Sequence, residues 1–229
     1  MELHILHEDD HILVCEKPPG VPSQSDKTAD YDMVNQLKNY LYEKDNRNQP
    51  YIGLIHRLDR PVGGIMVFAK TPFAAKNLSE QIRLREMKKH YMAVVTQDLT
   101  EELNQERQLL TDYLVKDQKT NLSRVTSEKD KNGKKAQLYY QVLKVSEGLS
   151  FVEVELITGR HHQIRVQMSK HKGGLWGDTK YNPLFQKKEG FHQLALFAYR
   201  LEFSHPKTKK LMKFRLMPTG EPFKQLGFN

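Results

Sequence analysis

Residues 53–71 read GLIHRLDRPVGGIMVFAKT, so that one carboxylate, Asp59, stands shortly before a long apolar run. Pro61 and the Gly63-Gly64 pair are typical of a turn, and residues 65–69 are typical of a buried strand. An acid at such a turn lies at its rim rather than in the core. The segment therefore predicts a turn followed by a strand, with Asp59 at the edge of the fold.

Two arginines flank this acid. Arg57 and Arg60 favour the ionised form of Asp59, because opposite charge nearby lowers the pKa of a carboxyl group. An ionised carboxylate suits a nucleophile, whereas a general acid must hold its proton. A plain salt bridge in an Asp-Arg turn explains the same residues. On its own, this segment leaves both interpretations open.

A second dense segment, residues 158–181, reads TGRHHQIRVQMSKHKGGLWGDTKY. Within it, residues 163–168 alternate polar and apolar side chains. Such alternation predicts a half-buried strand, with Gln163 and Arg165 on one face and Ile164 on the other.

These two segments and several others resemble an RluA-type pseudouridine synthase along nearly the whole chain. The matching segments are ILHEDDHILVCEKPPGVPSQ at residues 5–24, His56-Arg57-Leu58-Asp59, Lys89-His90-Tyr91 with Ala93-Val94-Val95, residues 159–165, Gly177-Asp178 with Tyr181, and residues 196–206. The resemblance is to the form without the small N-terminal RNA-binding module. It implies a single catalytic domain over residues 1–229.

Members of this family convert uridine in RNA to its carbon-linked isomer. The resemblance implies that Asp59 is the nucleophile, that Tyr91 stacks on the flipped uracil and helps remove the proton from ring carbon 5, and that Arg165 holds the aspartate ionised. Attack on the ribose and attack on the uracil ring both stay open. Arg57 is implied to enter the RNA stack that the target base has left. The residues implied to contact substrate are His56, Arg57, Arg160, Gln163, Ile164 and Leu196.

The chain departs from the family pattern at two points. It has Val62-Gly63-Gly64 where the commonest form has Thr-Ser-Gly, which removes two hydroxyls and makes the turn more permissive. It also has His161 where threonine is usual, which changes a contact beside the presumed site. Neither departure removes the nucleophile.

The composition fits an RNA partner. The chain has 36 Lys and Arg against 28 Asp and Glu, a net charge of +8 and a pI near 9.3, so its surface should attract a phosphate backbone. A merely basic soluble protein would have the same balance. Residues 116–135 are either an RNA-binding surface or a solvated hairpin tip, and Trp176 either stacks on a base or packs in the core. We expect tRNA or rRNA as the partner, no obligate protein partner, and a monomer.

Other chemistries lack their sequence signals. The single cysteine, Cys15, excludes an internal disulfide and a multi-cysteine zinc site, and it lies in an apolar run typical of a buried thiol. No glycine-rich phosphate loop occurs, and the isomerisation is redox-neutral, so we expect no cofactor. The neighbours His161 and His162 would point to opposite faces of a strand, so we expect no metal. With no secretory signal or apolar run of membrane-spanning length, the prediction is a soluble cytoplasmic protein.

The remaining pattern is one of strands with few helices. Strands are predicted at residues 12–15, 65–69, 91–96, 136–145, 151–156, 163–168, 197–203 and 212–215, and helices at residues 32–44 and 72–87. This order favours an α+β fold with a mixed, mostly antiparallel central sheet and flanking helices and loops.

Three functions are compatible with these residues. The first, an RNA pseudouridine synthase, explains several motifs in order along the chain. The second is a catalytically weak module of the same fold that binds RNA and aids its folding. The third is a hydrolase or nuclease built on His56 and Asp59, although such an enzyme usually needs a metal or a paired base. The joint presence of Asp59, Tyr91 and Arg165 favours the first.

Overall fold

A computed structural model describes residues 3–25, 31–45, 49–221 and 223–224 of the 229-residue chain. The strands are β1 (Ile5–Glu8), β2 (Ile12–Lys17), β3 (Gly53–Leu54), β4 (Gly63–Ala69), β5 (Lys88–Val95), β6 (Gln108–Asp117), β7 (Leu122–Thr126), β8 (Lys134–Ser146), β9 (Leu149–Leu156), β10 (Leu196–Ser204) and β11 (Leu211–Arg215). The helices are α1 (Met33–Asp45), α2 (Pro72–Arg83), α3 (Gln163–His171) and α4 (Pro183–Gln186). Strands with few helices confirm the α+β prediction.

The chain forms two compact units. Unit 1 comprises residues 1–88 and 198–216, and unit 2 comprises residues 89–197 and 217–229. In the part of the chain that the structure describes, no helix has the length and apolar composition needed to cross a membrane.

Unit 1 is built on strands in the order β1-β2-β4-β10, with β3 paired to β4 and β11 paired to β10. The predicted strands at residues 12–15 and 65–69 are confirmed, since they lie within β2 and β4. Both strands are buried on both faces, which explains their apolar composition. Cys15 is a buried thiol, as predicted, and burial raises its pKa to about 12.

Helix α2 covers one side of this unit. The Thr71 hydroxyl accepts a hydrogen bond from the Ala74 amide at 3.1 Å, and Pro72 opens the first turn, where its missing N–H costs nothing. The helix ends at Arg83, four residues before the predicted end, because Arg85 adopts a left-handed φ of 61°. Buried Ala74 and Leu78 join the apolar core with strands β2 and β4.

The glycine pair was predicted as a turn, and that prediction is wrong. Gly63 and Gly64 begin β4, and the turn lies earlier, closed by a hydrogen bond of 2.9 Å from the Val62 amide to the Asp59 carbonyl. Gly64 has a φ of +127°, and a Cβ there would lie 2.4 Å from the carbonyl oxygen of Ala198. Glycine is therefore required for close packing of two backbones, not for the turn.

Unit 2 is an antiparallel sheet in the order β5-β9-β8-β6-β7. Residues 116–135, predicted as either a solvated tip or an RNA-binding surface, include the whole of β7. Leu114 and Ala136 from the neighbouring strands form a small core with Val166 of α3, and Val125 of β7 packs against it. This segment is thus partly structural, and only its turns and outer side chains face solvent.

Helix α3 occupies residues that were predicted as a strand, so that prediction is wrong. Its polar and apolar residues alternate, but Ile164, Arg165 and Gln167 are all buried because the helix is packed on most of its surface. Alternation of polar and apolar residues predicts a strand only where one face of the element is exposed to solvent, and residues 163–168 have no such face. His162 starts the helix with a left-handed φ of 53°.

Candidate active site

The loop that carries Asp59 joins β3 to β4 in unit 1. The Leu58 amide donates to the Ser23 hydroxyl at 3.1 Å, and that hydroxyl donates to the Leu58 carbonyl at 2.9 Å. Both residues are buried, so the bridge saves Leu58 from having unpaired main-chain groups in the interior. One serine therefore fixes the backbone directly before Asp59, which is itself half-buried.

A fully buried lysine fixes the other side of the same loop. The Lys17 ammonium donates to the carbonyl oxygens of Pro18, Val21 and Arg60 at 3.0, 2.7 and 3.1 Å. Burial lowers its pKa to about 7, while the negative charge of Asp59 favours the protonated form and Arg60 opposes it. Lys17 thus links the N-terminal turn to the loop, and the charge of Asp59 affects its protonation.

The other predicted residues of this loop have distinct positions. His56 is half-buried, and its Nε2 accepts a hydrogen bond from the Val67 amide at 3.3 Å. Arg57 is exposed. Arg60 is also exposed, and its Nε donates to the Gly20 carbonyl at 3.0 Å, while its own carbonyl accepts from the Gly20 amide at 2.8 Å. Arg60 thus also ties the Asp59 loop to the backbone at Gly20, a role that was not predicted from its charge beside Asp59.

Tyr91 lies on β5 in unit 2, opposite Val154 of β9, and is 6% exposed. The neighbouring Lys89 is half-buried, and burial lowers the pKa of its ammonium group. A Cβ on Gly159 would lie 3.5 Å from the Lys89 Nζ, so the ammonium group sits against the turn that precedes α3. The segment that carries Tyr91 and the turn at residues 159–162 therefore meet within unit 2.

Arg165 is buried on α3 and binds Asp178 through two hydrogen bonds. Its Nε donates to Oδ2 at 2.8 Å and a terminal nitrogen donates to Oδ1 at 2.7 Å, and both side chains are nearly inaccessible. Asp178 Oδ1 also accepts from the amides of Lys180 and Tyr181 at 2.9 and 3.1 Å. The guanidinium carbon lies 5.2 Å from the centre of the Tyr181 ring. The arginine is therefore held in place by a two-point ion pair.

The two histidines before α3 do not point apart, so that prediction is also wrong. Their rings stack with centres 3.7 Å apart, because the left-handed conformation of His162 turns its ring beneath that of His161. His161 Nδ1 lies 2.8 Å from the hydroxyl of Ser123 on β7. This residue, where threonine is usual, thus connects α3 to the β6-β7 hairpin.

His162 is buried and neutral. The Tyr181 hydroxyl accepts from the Ser123 amide at 2.8 Å, which leaves its proton for His162 Nδ1 at 2.7 Å. Burial, followed by the charges of Arg165 and His161, lowers the pKa of His162 to about 2. The imidazole is therefore a fixed acceptor that orients Tyr181, and it carries no charge near Arg165.

The remaining predicted residues of unit 2 lie around the start of α3. Gln163 Oε1 accepts from the Thr158 hydroxyl at 2.8 Å and the Arg160 amide at 3.0 Å, so this buried amide shapes the turn. Arg160 is exposed, and its Nε donates to the Lys135 carbonyl at 2.9 Å. Ile164 and Leu196 are each 4% exposed.

Sequence reasoning assigned no task to Lys17, Asp178 or Tyr181. The signal for Lys17 was its position at the end of a buried strand and directly before two prolines. The signal for Asp178 was a lone acid after Gly177 in a segment otherwise rich in cations. Within the described residues, no group of three or more His, Cys, Asp or Glu side chains is arranged to hold a metal ion.

Comparison with known proteins gives consistent results. The family model described as RNA pseudouridylate synthase matches residues 11–170. The chain is 29% identical, over 94% of its length, to an uncharacterised RNA pseudouridine synthase of Helicobacter pylori strain J99, of which it covers 66%. It is 33% identical, over 97% of its length, to ribosomal large subunit pseudouridine synthase D of Pseudomonas aeruginosa, of which it covers 70%.

A solved structure extends this comparison to the fold. Human RNA pseudouridylate synthase domain containing 4 matches with a TM-score of 0.75 and 24% identity, over 93% of this chain and 88% of that chain. At that identity, the match concerns the fold alone. The chain spans just under two-thirds of several curated relatives, including 66% of the Helicobacter pylori protein and 64% of ribosomal large subunit pseudouridine synthase C of Buchnera aphidicola.

Proposed function

The chain belongs to the RNA pseudouridylate synthase family, and on that basis we propose that it isomerises uridines in RNA to pseudouridine. The RluA-type resemblance is confirmed. Because relatives are named as ribosomal large subunit pseudouridine synthases, we propose large-subunit ribosomal RNA as the first substrate to test and transfer RNA as the second.

The observation that carries this proposal is the environment of Asp59. The family model covers the loop, and the loop backbone is fixed on both sides, by Ser23 and by Lys17. A nucleophile needs a fixed position relative to its substrate, since misplacement by about 1 Å costs on the order of a hundredfold in rate. Hydrogen bonds to main-chain atoms of Leu58 and Arg60 therefore hold the loop on either side of Asp59.

In the proposed reaction, the Asp59 carboxylate adds to the nucleotide and the bond between N1 of uracil and C1′ of ribose breaks. The base turns, a bond forms between C5 and C1′, the C5 proton leaves and N1 gains a proton. A carboxylate attached to C1′ leaves as the C5–C1′ bond forms, and one attached to the uracil ring leaves after that bond has formed, so the reaction is redox-neutral and the enzyme is regenerated. Attack of the carboxylate on C1′ of the ribose and attack on the uracil ring lead to the same net bond changes and the same product.

We assign Tyr91 to stacking on the uracil and to removal of the C5 proton, since a tyrosine offers both a flat ring and a hydroxyl. We assign Arg165 to holding Asp59 ionised. Arg57 would fill the gap that the target base leaves in the RNA, which suits an exposed, flat cation. Leu196 and Ile164 would supply apolar contacts, and His56, Arg160 and Gln163 would line the substrate or shape the turns beside it.

The test is tritium release from RNA labelled at uracil carbon 5. Bulk RNA from cells that lack the gene is incubated with the wild type, with Asp59→Asn and with the matched control Asp10→Asn, an exposed acid of the same unit. Release by the wild type and the control, absent with Asp59→Asn, supports the proposal, and mapping of the modified position identifies the RNA.

Two other results would contradict it. RNA that binds without any release indicates the alternative, a catalytically weak RNA-binding module. Cleaved RNA whose cleavage stops with a chelator indicates a nuclease. A monomer in the cytoplasm, without a cofactor or a protein partner, stays our expectation for the active form.

A further inference from the structure

A cluster of aromatic and basic side chains lies on the surface of unit 2, where α4 runs into β10. We call it the aromatic-basic patch, and it consists of Trp176, Lys188 and His192 around the buried Phe185, together with Phe191, which precedes His192 in the chain. The Trp176 and Phe185 rings meet edge to face with centres 5.1 Å apart, and the Phe185 and His192 rings do so at 5.3 Å.

Phe191 extends from this patch into solvent. It is 91% exposed, and no large apolar side chain in the described part of the chain is more exposed. Gly190 precedes it with a φ of +89°, and His192 Nε2 donates to the Glu189 carbonyl at 3.0 Å, so the chain bends where it presents the ring. A phenylalanine this exposed adds little to the fold, and its ring is open to contact by a ligand.

The backbone beneath the aromatic-basic patch is held by hydrogen bonds and close packing. Asn182 caps α4 through a 3.0 Å hydrogen bond from the Leu184 amide, and its side-chain nitrogen donates to the Leu175 carbonyl at 2.9 Å. A Cβ on Gly177 would lie 2.3 Å from the carbonyl oxygen of Gln193, so the two backbones touch. The next residue after Gly177 is Asp178, the partner of Arg165. The patch is therefore connected to the proposed catalytic machinery of the same unit.

The charge of the patch is positive. The Lys188 ammonium lies 5.3 Å from the centre of the Trp176 ring and 5.1 Å from that of Phe185, within the range of cation–π attraction. Lys180 and Lys187 add two exposed cations nearby in the sequence, against the single acid Glu189. Such a surface repels another copy of this basic chain and attracts phosphates.

We propose that the aromatic-basic patch binds unpaired RNA nucleotides that flank the target uridine, with a base stacked on Phe191 and phosphates neutralised by Lys187 and Lys188. This inference rests on the proposed function, and it adds a second surface through which the synthase would contact its RNA. An aromatic ring can stack on a base only where that base is not already paired and stacked in a helix. The patch thus selects single-stranded segments beside the target, whatever their sequence.

The test is direct binding of two probes, a 12-nucleotide oligouridine and a blunt RNA duplex of 12 base pairs, by fluorescence anisotropy. Phe191→Ala should weaken oligouridine binding about tenfold, in line with the loss of one base–aromatic stack. Phe191→Tyr should keep the affinity, whereas Phe191→Leu, which is apolar but has no π face, should lose it. Duplex binding should change less than about twofold, because paired bases offer no face for stacking.

Two further readouts locate the contact. Trp176 is the only tryptophan in the chain, so oligouridine should quench its fluorescence. Lys188→Gln should reduce the slope of log affinity against log salt by about 0.7, the value for one phosphate contact with a single strand. The matched controls Phe73→Ala, an exposed phenylalanine of unit 1, and Lys207→Gln, an exposed lysine, should change neither quantity.

The outcomes separate the inference from the proposed function. One outcome overturns the inference alone: the wild type releases tritium, but Phe191→Ala and Phe191→Leu bind oligouridine as tightly as the wild type. Absence of tritium release, with binding that depends on the Phe191 ring, overturns the proposed function and supports the patch. A change in oligomeric state with Phe191→Ala, seen by light scattering without an effect on RNA affinity, identifies a second copy as the occupant and also overturns the inference.

Discussion

The loop around Asp59 and the start of helix α3 both carry a proposed catalytic residue, but they are held in different ways. The Asp59 loop is fixed through main-chain atoms, which bond to the Ser23 hydroxyl and the Lys17 ammonium. The α3 region is fixed through the functional side chain itself, since Arg165 binds Asp178 in a buried pair.

This difference determines what a substitution can report. In the Asp59 loop, a change of the functional side chain leaves the anchors in place, so activity and stability should separate. At Arg165, removal of the guanidinium leaves a buried carboxylate without its counterion, so activity and stability should change together. The following predictions test that distinction, beginning with the largest expected effect.

Asp59→Asn should reduce turnover by roughly ten-thousandfold or more, as expected when an enzyme loses its nucleophile. The free energy of unfolding should change by less than about 1 kcal/mol, because the main-chain anchors of the loop are intact. Urea denaturation and tritium release on the same preparations measure both quantities. A loss of several kcal/mol in stability would show that the carboxylate is itself an anchor.

Arg165→Met should lower the free energy of unfolding by about 3–5 kcal/mol, because it leaves Asp178 ionised and buried without its partner. The double variant Arg165→Met/Asp178→Leu should recover part of that loss, since no charge then remains in the interior. Urea denaturation of the two single variants and the double variant measures the coupling. Additive losses would mean that the pair is not the anchor.

The pH dependence of turnover separately tests the proposed electrostatic action of Arg165 on Asp59. If Arg165 holds the aspartate ionised, its replacement should move the acidic limb of the profile to higher pH. An unchanged limb in Arg165→Met, measured on the folded fraction, would leave Arg165 with a structural task only.

Lys17→Met tests the main-chain anchors through pH. In the folded chain, the pKa of Lys17 is lowered to about 7 by burial, whereas the pKa of a lysine in the unfolded chain is about 10.4. Between these values the unfolded chain binds a proton that the folded chain lacks, so stability rises with pH. The wild type should therefore gain stability relative to Lys17→Met above pH 7, by at most about 1.4 kcal/mol per pH unit, and a flat difference would contradict this assignment.

The sequence predicted unit 1 better than unit 2 for a physical reason. Residues 12–15 and 65–69 are uniformly apolar, and strands buried on both faces have that composition. Residues 163–168 alternate, yet Arg165 and Gln167 are buried because Asp178 and Asp112 accept their hydrogen bonds. Polar side chains whose N–H groups find partners in the interior can be buried, so the alternating pattern no longer predicts which residues are exposed.

The structural roles of Lys17 and Asp178 could not be predicted from the sequence for a similar reason. The sequence motifs drew attention to both segments, but a lysine is ordinarily expected at the surface. What buries Lys17 is a set of three carbonyl oxygens, one of them 43 residues away along the chain. Such a partner is created by the tertiary fold and has no signature in local sequence.

Ser23→Ala is the mildest test of the comparison. It removes both hydrogen bonds between the Ser23 hydroxyl and the Leu58 backbone, which should cost about 1–2 kcal/mol in unfolding free energy. Turnover should also fall, because the residue after Leu58 is Asp59, while substrate affinity stays unchanged. Ser79→Ala, an exposed serine on α2, is the matched control. If Ser23→Ala lowers stability but leaves turnover at the wild-type value, Lys17 alone is sufficient to position the loop, and the two anchors are not equivalent.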